Sequence, residues 1–190
     1  YRLGDTQFTH ELEKFALNSN PGVRANTAMA IGMMGNHSGL KVLRVMANDS
    51  SSIVRLQVAA SRWLLGDEGG LTDLVSGTIS RYPDDQIVCI LGIAAPRDPR
   101  VIEHVRDGLV SPFPEVSLAA ARAAGELGSD EGYGIAMIGA KSQDARQRAL
   151  AALAFGAIGR TDAQPILAKL LTDDDPDVRI SAATAILELK

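Results

Sequence analysis

Aromatic residues are scarce in this chain, 4% of 190 positions, and cysteine occurs once, at Cys89. A single cysteine excludes an internal disulfide and any zinc site built on cysteines. Aromatic and β-branched runs of strand type are largely missing, which argues against a sheet-based core. No apolar run approaches the roughly 18 residues that a membrane helix needs. Positive charge is not in excess either: 19 Lys and Arg stand against 23 Asp and Glu, a net charge of -4. No global field then draws the protein to phosphate or to an anionic membrane, so neither nucleic acid nor membrane insertion is expected.

What the chain has in abundance is small and aliphatic. Hydrophobic residues make up 46%, and 27 of the 190 positions are alanine. Alanine is the best helix former and lets helix backbones approach closely. The chain starts at Tyr1 without an initiator Met and stops at Lys190 straight after an apolar helical pattern. It reads as a segment of a longer protein, and no secretory signal is visible.

Internal periodicity decides the fold. The stretches "PGVRANTAMAIGMMG" (21–35) and "PDVRISAATAILELK" (176–190) are close copies. Laid on them, the remainder gives further copies at 52–66, 114–128 and 145–159, with a weaker one at 81–95. The fourth residues form a column, Arg24, Arg55, Asp84, Ser117, Arg148 and Arg179, spaced by 31, 29, 33, 31 and 31. Four residues earlier stand Asn20, Ser51, Ser80, Phe113, Asp144 and Asp175, five of six being N-cap types. Pro21, Pro114 and Pro176 occupy the first helical position, where a missing N–H costs nothing. Eleven after the column, Gly35, Gly66, Gly128 and Gly159 are placed to end the helix in the left-handed conformation. These signals predict helices over about 21–34, 52–65, 83–94, 114–127, 145–158 and 176–189. A second apolar helical pattern precedes each copy, through Phe8, Leu12 and Phe15 in the first and Ile166, Leu167 and Leu170 in the last. Neither helix can bury its stripe alone, so the units must stack.

Pro-x-Val-Arg, then a small-residue helix ending in Gly at a period near 31, resembles the short HEAT-like repeats of phycobilisome-lyase type. The resemblance covers nearly the whole chain. It implies an all-α fold, a right-handed α-α superhelix of HEAT/armadillo-like solenoid type. Six two-helix repeats would form one array over 1–190, with the Pro-x-Val-Arg helices lining the concave side. Ankyrin and tetratricopeptide signatures are absent. The resemblance is specific for fold and weak for function, because such repeats serve in scaffolds, lyases and repair enzymes.

The charged column falls at the centre of the buried helix stripe. Arg24, Arg55, Asp84, Arg148 and Arg179 are expected to form a structural ladder of packed stems offset by carboxylates such as Asp49, Asp144 and Asp175. Arg55 should pair with Asp84 or another carboxylate. The competing reading, phosphate binding, is opposed by the acidic balance. Gly32, Gly92, Gly125 and Gly156 stand eight after the column and suggest close helix crossing, with Trp63 in the same column. Deoxyhypusine hydroxylase, of the same repeat class, uses His-Glu pairs around iron; here only His10-Glu11 has that order, Glu103-His104 is reversed and His37 stands alone. No metal and no cofactor is expected. The run Asp173-Asp174-Asp175-Pro176-Asp177 lacks the calcium-loop pattern and serves as loop and N-cap. No Ser/His/Asp arrangement, Walker-type loop or basic groove with aromatics for a displaced base is present, so no catalytic residue is assigned.

Two functions remain: a non-catalytic scaffold for a protein or peptide, and a subunit of a bilin lyase or another HEAT-repeat enzyme. Positions two, five and nine after the column lie opposite the buried stripe. In the first three repeats they place Asn26, Gln57 and Gln86 beside Met29 and Cys89, with Met33, Leu64 and Ile93 completing an apolar row. Amides beside an apolar row suit an extended peptide. Among all such positions only Arg122 is basic and none is aromatic, which favours the scaffold over a site for an anionic tetrapyrrole.

Overall fold

The computed structural model describes residues 12–189. Among them every regular element is helical. Phe8 and the His10-Glu11 pair lie outside the described residues. The chain divides into two compact units, Tyr1–Pro96 and Arg97–Lys190.

In the first unit, helical residues 12–15 precede α1 (Pro21–Met33), α2 (Leu40–Met46), α3 (Ser52–Leu64), α4 (Glu68–Gly77) and α5 (Pro83–Ala94). The long helices α1, α3 and α5 pack side by side in chain order, with α2 and α4 behind them. Ile31, Leu43, Val54, Val58, Leu74 and Ile90 fill the space between the layers and are fully buried. The second unit repeats the plan with α6 (Ile102–Leu109), α7 (Pro114–Glu126), α8 (Tyr133–Gly139), α9 (Ala145–Ile158), α10 (Gln164–Leu170) and α11 (Pro176–Glu188). Here α9 lies between α7 and α11. Eight residues of α7 are buried, five of them alanine, so its neighbours approach closely. Phe155 fills the remaining volume, with the Tyr133 ring edge-on at 5.4 Å.

The predicted second helices are all present, within one residue of the expected ends. Asn20, Asp144 and Asp175 cap their helices by accepting from the amides of Gly22, Arg146 and Asp177 at 2.8, 2.8 and 2.9 Å. The four closing glycines have φ of 68, 78, 85 and 73°.

Repeat three corrects the register. Its column member is Gln86, not Asp84, which gives 24, 55, 86, 117, 148 and 179 at a constant spacing of 31. Three observations fix this. The Gln86 amide bonds the Tyr82 carbonyl, as Arg24, Arg55, Arg148 and Arg179 bond the carbonyl four residues before each. Tyr82, not Ser80, is the N-cap residue, and Pro83 takes the same first-turn place as Pro21, Pro114 and Pro176. Eleven after Gln86 comes Arg97, whose φ of 56° makes it the one described non-glycine residue in the left-handed region. It stands in the turn after α5, at the position where four of the other repeats place glycine.

A second constant row explains how a tyrosine can stand at an N-cap. Side-chain oxygens of Asn18, Asp49, Ser80, Ser111, Ser142 and Asp173, again 31 apart, accept from the N-cap residue's own amide at 2.9 to 3.3 Å. Ser80 is thus a capping residue placed two positions earlier than its type suggests.

Candidate functional site

With the register corrected, positions two, five and nine after the column in unit 1 are Asn26, Met29 and Met33 on α1, Gln57, Ala60 and Leu64 on α3, then Val88, Leu91 and Ala95 on or just after α5. All but Asn26, which is exposed, line one depression of about 310 Å3 together with Ser61 and Gly92. Met29, Met33 and Leu64 are 42%, 67% and 40% exposed. None of the lining residues is charged.

Three residues of α5 expected on this face lie elsewhere. Cys89 and Ile93 are fully buried, and Gln86 belongs to the column, its carboxamide donating to the Ser80 carbonyl at 2.5 Å. The cause is the two-residue slip: at about 100° per residue it turns a helix by some 200°, exchanging face for core. Burial pushes the Cys89 thiol up to about 12, so it stays protonated. Trp63 is buried as well and donates its ring N–H to the Ile93 carbonyl at 2.9 Å. Ser61, Val88, Leu91 and Ala95 were missed by sequence reading; Pro83, set in line with Pro21, was the signal that would have found the last three.

The HEAT repeats family matches residues 135–190. A chain in the complex of CpcE and CpcF of phycocyanin lyase from Nostoc sp. PCC7120 is similar over 99% of this chain and 77% of its own, at 20% identity and a TM-score of 0.65. A designed armadillo repeat protein is similar over 95% of this chain and 99% of its own, at 14% identity and a TM-score of 0.50. The fold is that of HEAT-like repeats. Likenesses at these identities concern the fold alone, and none of the curated proteins matches the sequence.

In these HEAT-like repeats the arginine column lies at the edge where the two helices of a repeat meet, not at the centre of the buried stripe. Each guanidinium folds back to carbonyls six and five residues earlier: Arg24 to Asn18 and Ser19, Arg55 to Asp49 and Ser50, Arg148 to Ser142 and Gln143, Arg179 to Asp173 and Asp174, at 2.7 to 3.1 Å. They thereby satisfy carbonyls left free in the turn after the preceding helix. Arg24 and Arg148 also grip the carboxylate 25 residues later, Asp49 and Asp173, through two bonds each at 2.7 and 2.8 Å. These bonds hold both carboxyls below the usual range. Arg55 and Arg179 are exposed, as is Asp84. Arg55 lies in the field of Asp49.

The same three rows in unit 2 are chemically different. Arg122 pairs with Glu126 at 2.9 Å. Glu126 and Glu188 line a depression of about 240 Å3 with Arg97, Gly125, Gly156 and Ala157. A larger open hollow of about 770 Å3 lies at the turn edge, among Met137, Lys141, Ile166 and Lys169. Glu103 and His104 are both exposed, and among the described residues no group of three or more His, Cys, Asp or Glu is placed to hold a metal ion.

Proposed function

We propose that the chain is a non-catalytic scaffold that binds a protein or peptide partner on the α1–α3–α5 face of unit 1. The observation that carries this is contiguity. Met29, Met33 and Leu64 are exposed around a single depression without a charged residue, in a chain that is 22% charged. Apolar residues scattered singly on a surface need no explanation, whereas contiguous ones mark interaction sites. Methionine lets such a surface adapt to its ligand. An extended peptide suits apolar rows flanked by the amides of Asn26 and Gln57.

The test is Leu64→Glu, with a fluorescent peptide selected on the wild-type protein from a phage-displayed library of random nonapeptides. The variant should lose at least about tenfold in affinity, or 1.4 kcal/mol, with the melting temperature nearly unchanged. Loss of folding would make Leu64 a core residue and end the proposal. A bilin-lyase subunit is the alternative reading, but no feature of this face favours it: its rows in unit 1 carry no base and no aromatic. Bilin absorbance should be unchanged on mixing with the protein.

A further inference from the structure

We propose that the unit 1 depression holds an uncharged, extended stretch of polypeptide, its backbone bonded by the Gln57 carboxamide and the Ser61 hydroxyl. This rests on the partner-binding reading of the same face and adds what the partner must be.

Ser61 is 2% exposed, lines the depression, and among the described residues finds no hydrogen-bond partner for its hydroxyl. A buried hydroxyl without a partner is costly, so such groups are rare unless something else supplies the bond. Thr27, buried in the same unit, shows the usual solution: its hydroxyl donates to the carbonyl of Val23, one turn earlier, at 2.7 Å. Gln57 also lines the depression without a side-chain partner among the described residues. It stands one turn before Ser61 on the same face of α3. Residues so placed have Cβ atoms about 5–6 Å apart, close to the roughly 6.6 Å between alternate residues of an extended strand. One amide and one hydroxyl at that separation can meet two successive backbone groups on the near side of a peptide.

The neighbouring wall leaves that hydroxyl room. A Cβ on Gly32 would stand 2.8 Å from the Ser61 oxygen, so a larger residue on α1 would displace it. Gly92 lines the opposite side. The absence of charge selects the occupant, because a charged side chain entering here would be desolvated without a counter-ion. The volume, about 310 Å3, is at the lower limit of small-ligand clefts and suits an aliphatic side chain or two.

The phage selection described above supplies the probe. Enriched nonapeptides should share an uncharged aliphatic centre. The best of them, fluorescently labelled, should lose about tenfold in affinity for Ser61→Ala, and the melting temperature of that variant should hold or rise, since an unpaired hydroxyl is removed. Placing Lys or Glu at the peptide's centre should abolish binding. Enrichment of acidic or basic peptides would overturn the proposal, as would an affinity that Ser61→Ala leaves unchanged. If Leu64→Glu abolishes binding while Ser61→Ala does not, the backbone-bonding role fails and the docking face stands. If neither variant matters, the face itself fails.

Discussion

Replacing Arg97 by glycine isolates a single strained torsion. Arg97 takes φ 56° at the place where Gly35, Gly66, Gly128 and Gly159 sit at 68 to 85°. A non-glycine residue in the left-handed region costs about 1–2 kcal/mol. Glycine also gives the unfolded chain more freedom, which returns about 0.4–1 kcal/mol. The Arg97 side chain is exposed, so few contacts are lost. The net gain is therefore about 0.5–1 kcal/mol. For one cooperative transition of a chain this long, that raises the melting temperature by about 1–4 °C, and by about twice as much if unit 2 melts alone. The mirror experiment is Gly128→Ala. At φ 85° a Cβ there would meet no atom within 4 Å, so only backbone strain is added, and stability should fall by a similar amount. Differential scanning calorimetry on both variants reads the two signs directly. A lower melting temperature for Arg97→Gly, or a higher one for Gly128→Ala, would refute the assignment of Arg97 as the third repeat's helix terminator, and with it the constant period of 31.

Acid should expose the arginine–carboxylate pairs. Because Arg24 and Arg148 depress the carboxyls of Asp49 and Asp173, their stabilisation is complete above the unfolded carboxylate pKa of about 3.9 and fades as pH falls through the lower folded values. Melting temperature followed from pH 7 to pH 2 should drop less steeply below pH 4 in an Asp49→Asn/Asp173→Asn double variant than in the wild type. Arg24→Lys should lower the melting temperature more than Arg55→Lys, since Arg24 makes two carboxylate bonds beyond the carbonyl bonds both share. Phe155→Ala should cost about 3–5 kcal/mol in chemical denaturation, because the ring is fully buried between α8 and its own helix.

Local signals in the sequence determined where each long helix begins and ends, and a period near 31 determined that neighbouring units must stack. Those features are legible because caps, prolines and closing glycines act within a few residues of themselves. The register of the third repeat was not read correctly. A serine looked like the N-cap and no glycine closed the helix, whereas Tyr82 is the N-cap, its amide held from two residues back by Ser80, and a strained arginine stands in the turn that follows the helix. That slip carried Cys89 and Ile93 to the wrong side of α5 and hid Val88, Leu91 and Ala95. The tertiary structure alone decided two further matters. The arginines fold back onto turn carbonyls because a long side chain can reach six residues along a tight turn, a distance that helical geometry within one element does not reveal. Ser61, whose hydroxyl has no partner among the described residues, is buried because α1 presents Gly32 to it, and that close approach is a property of two packed helices rather than of either one.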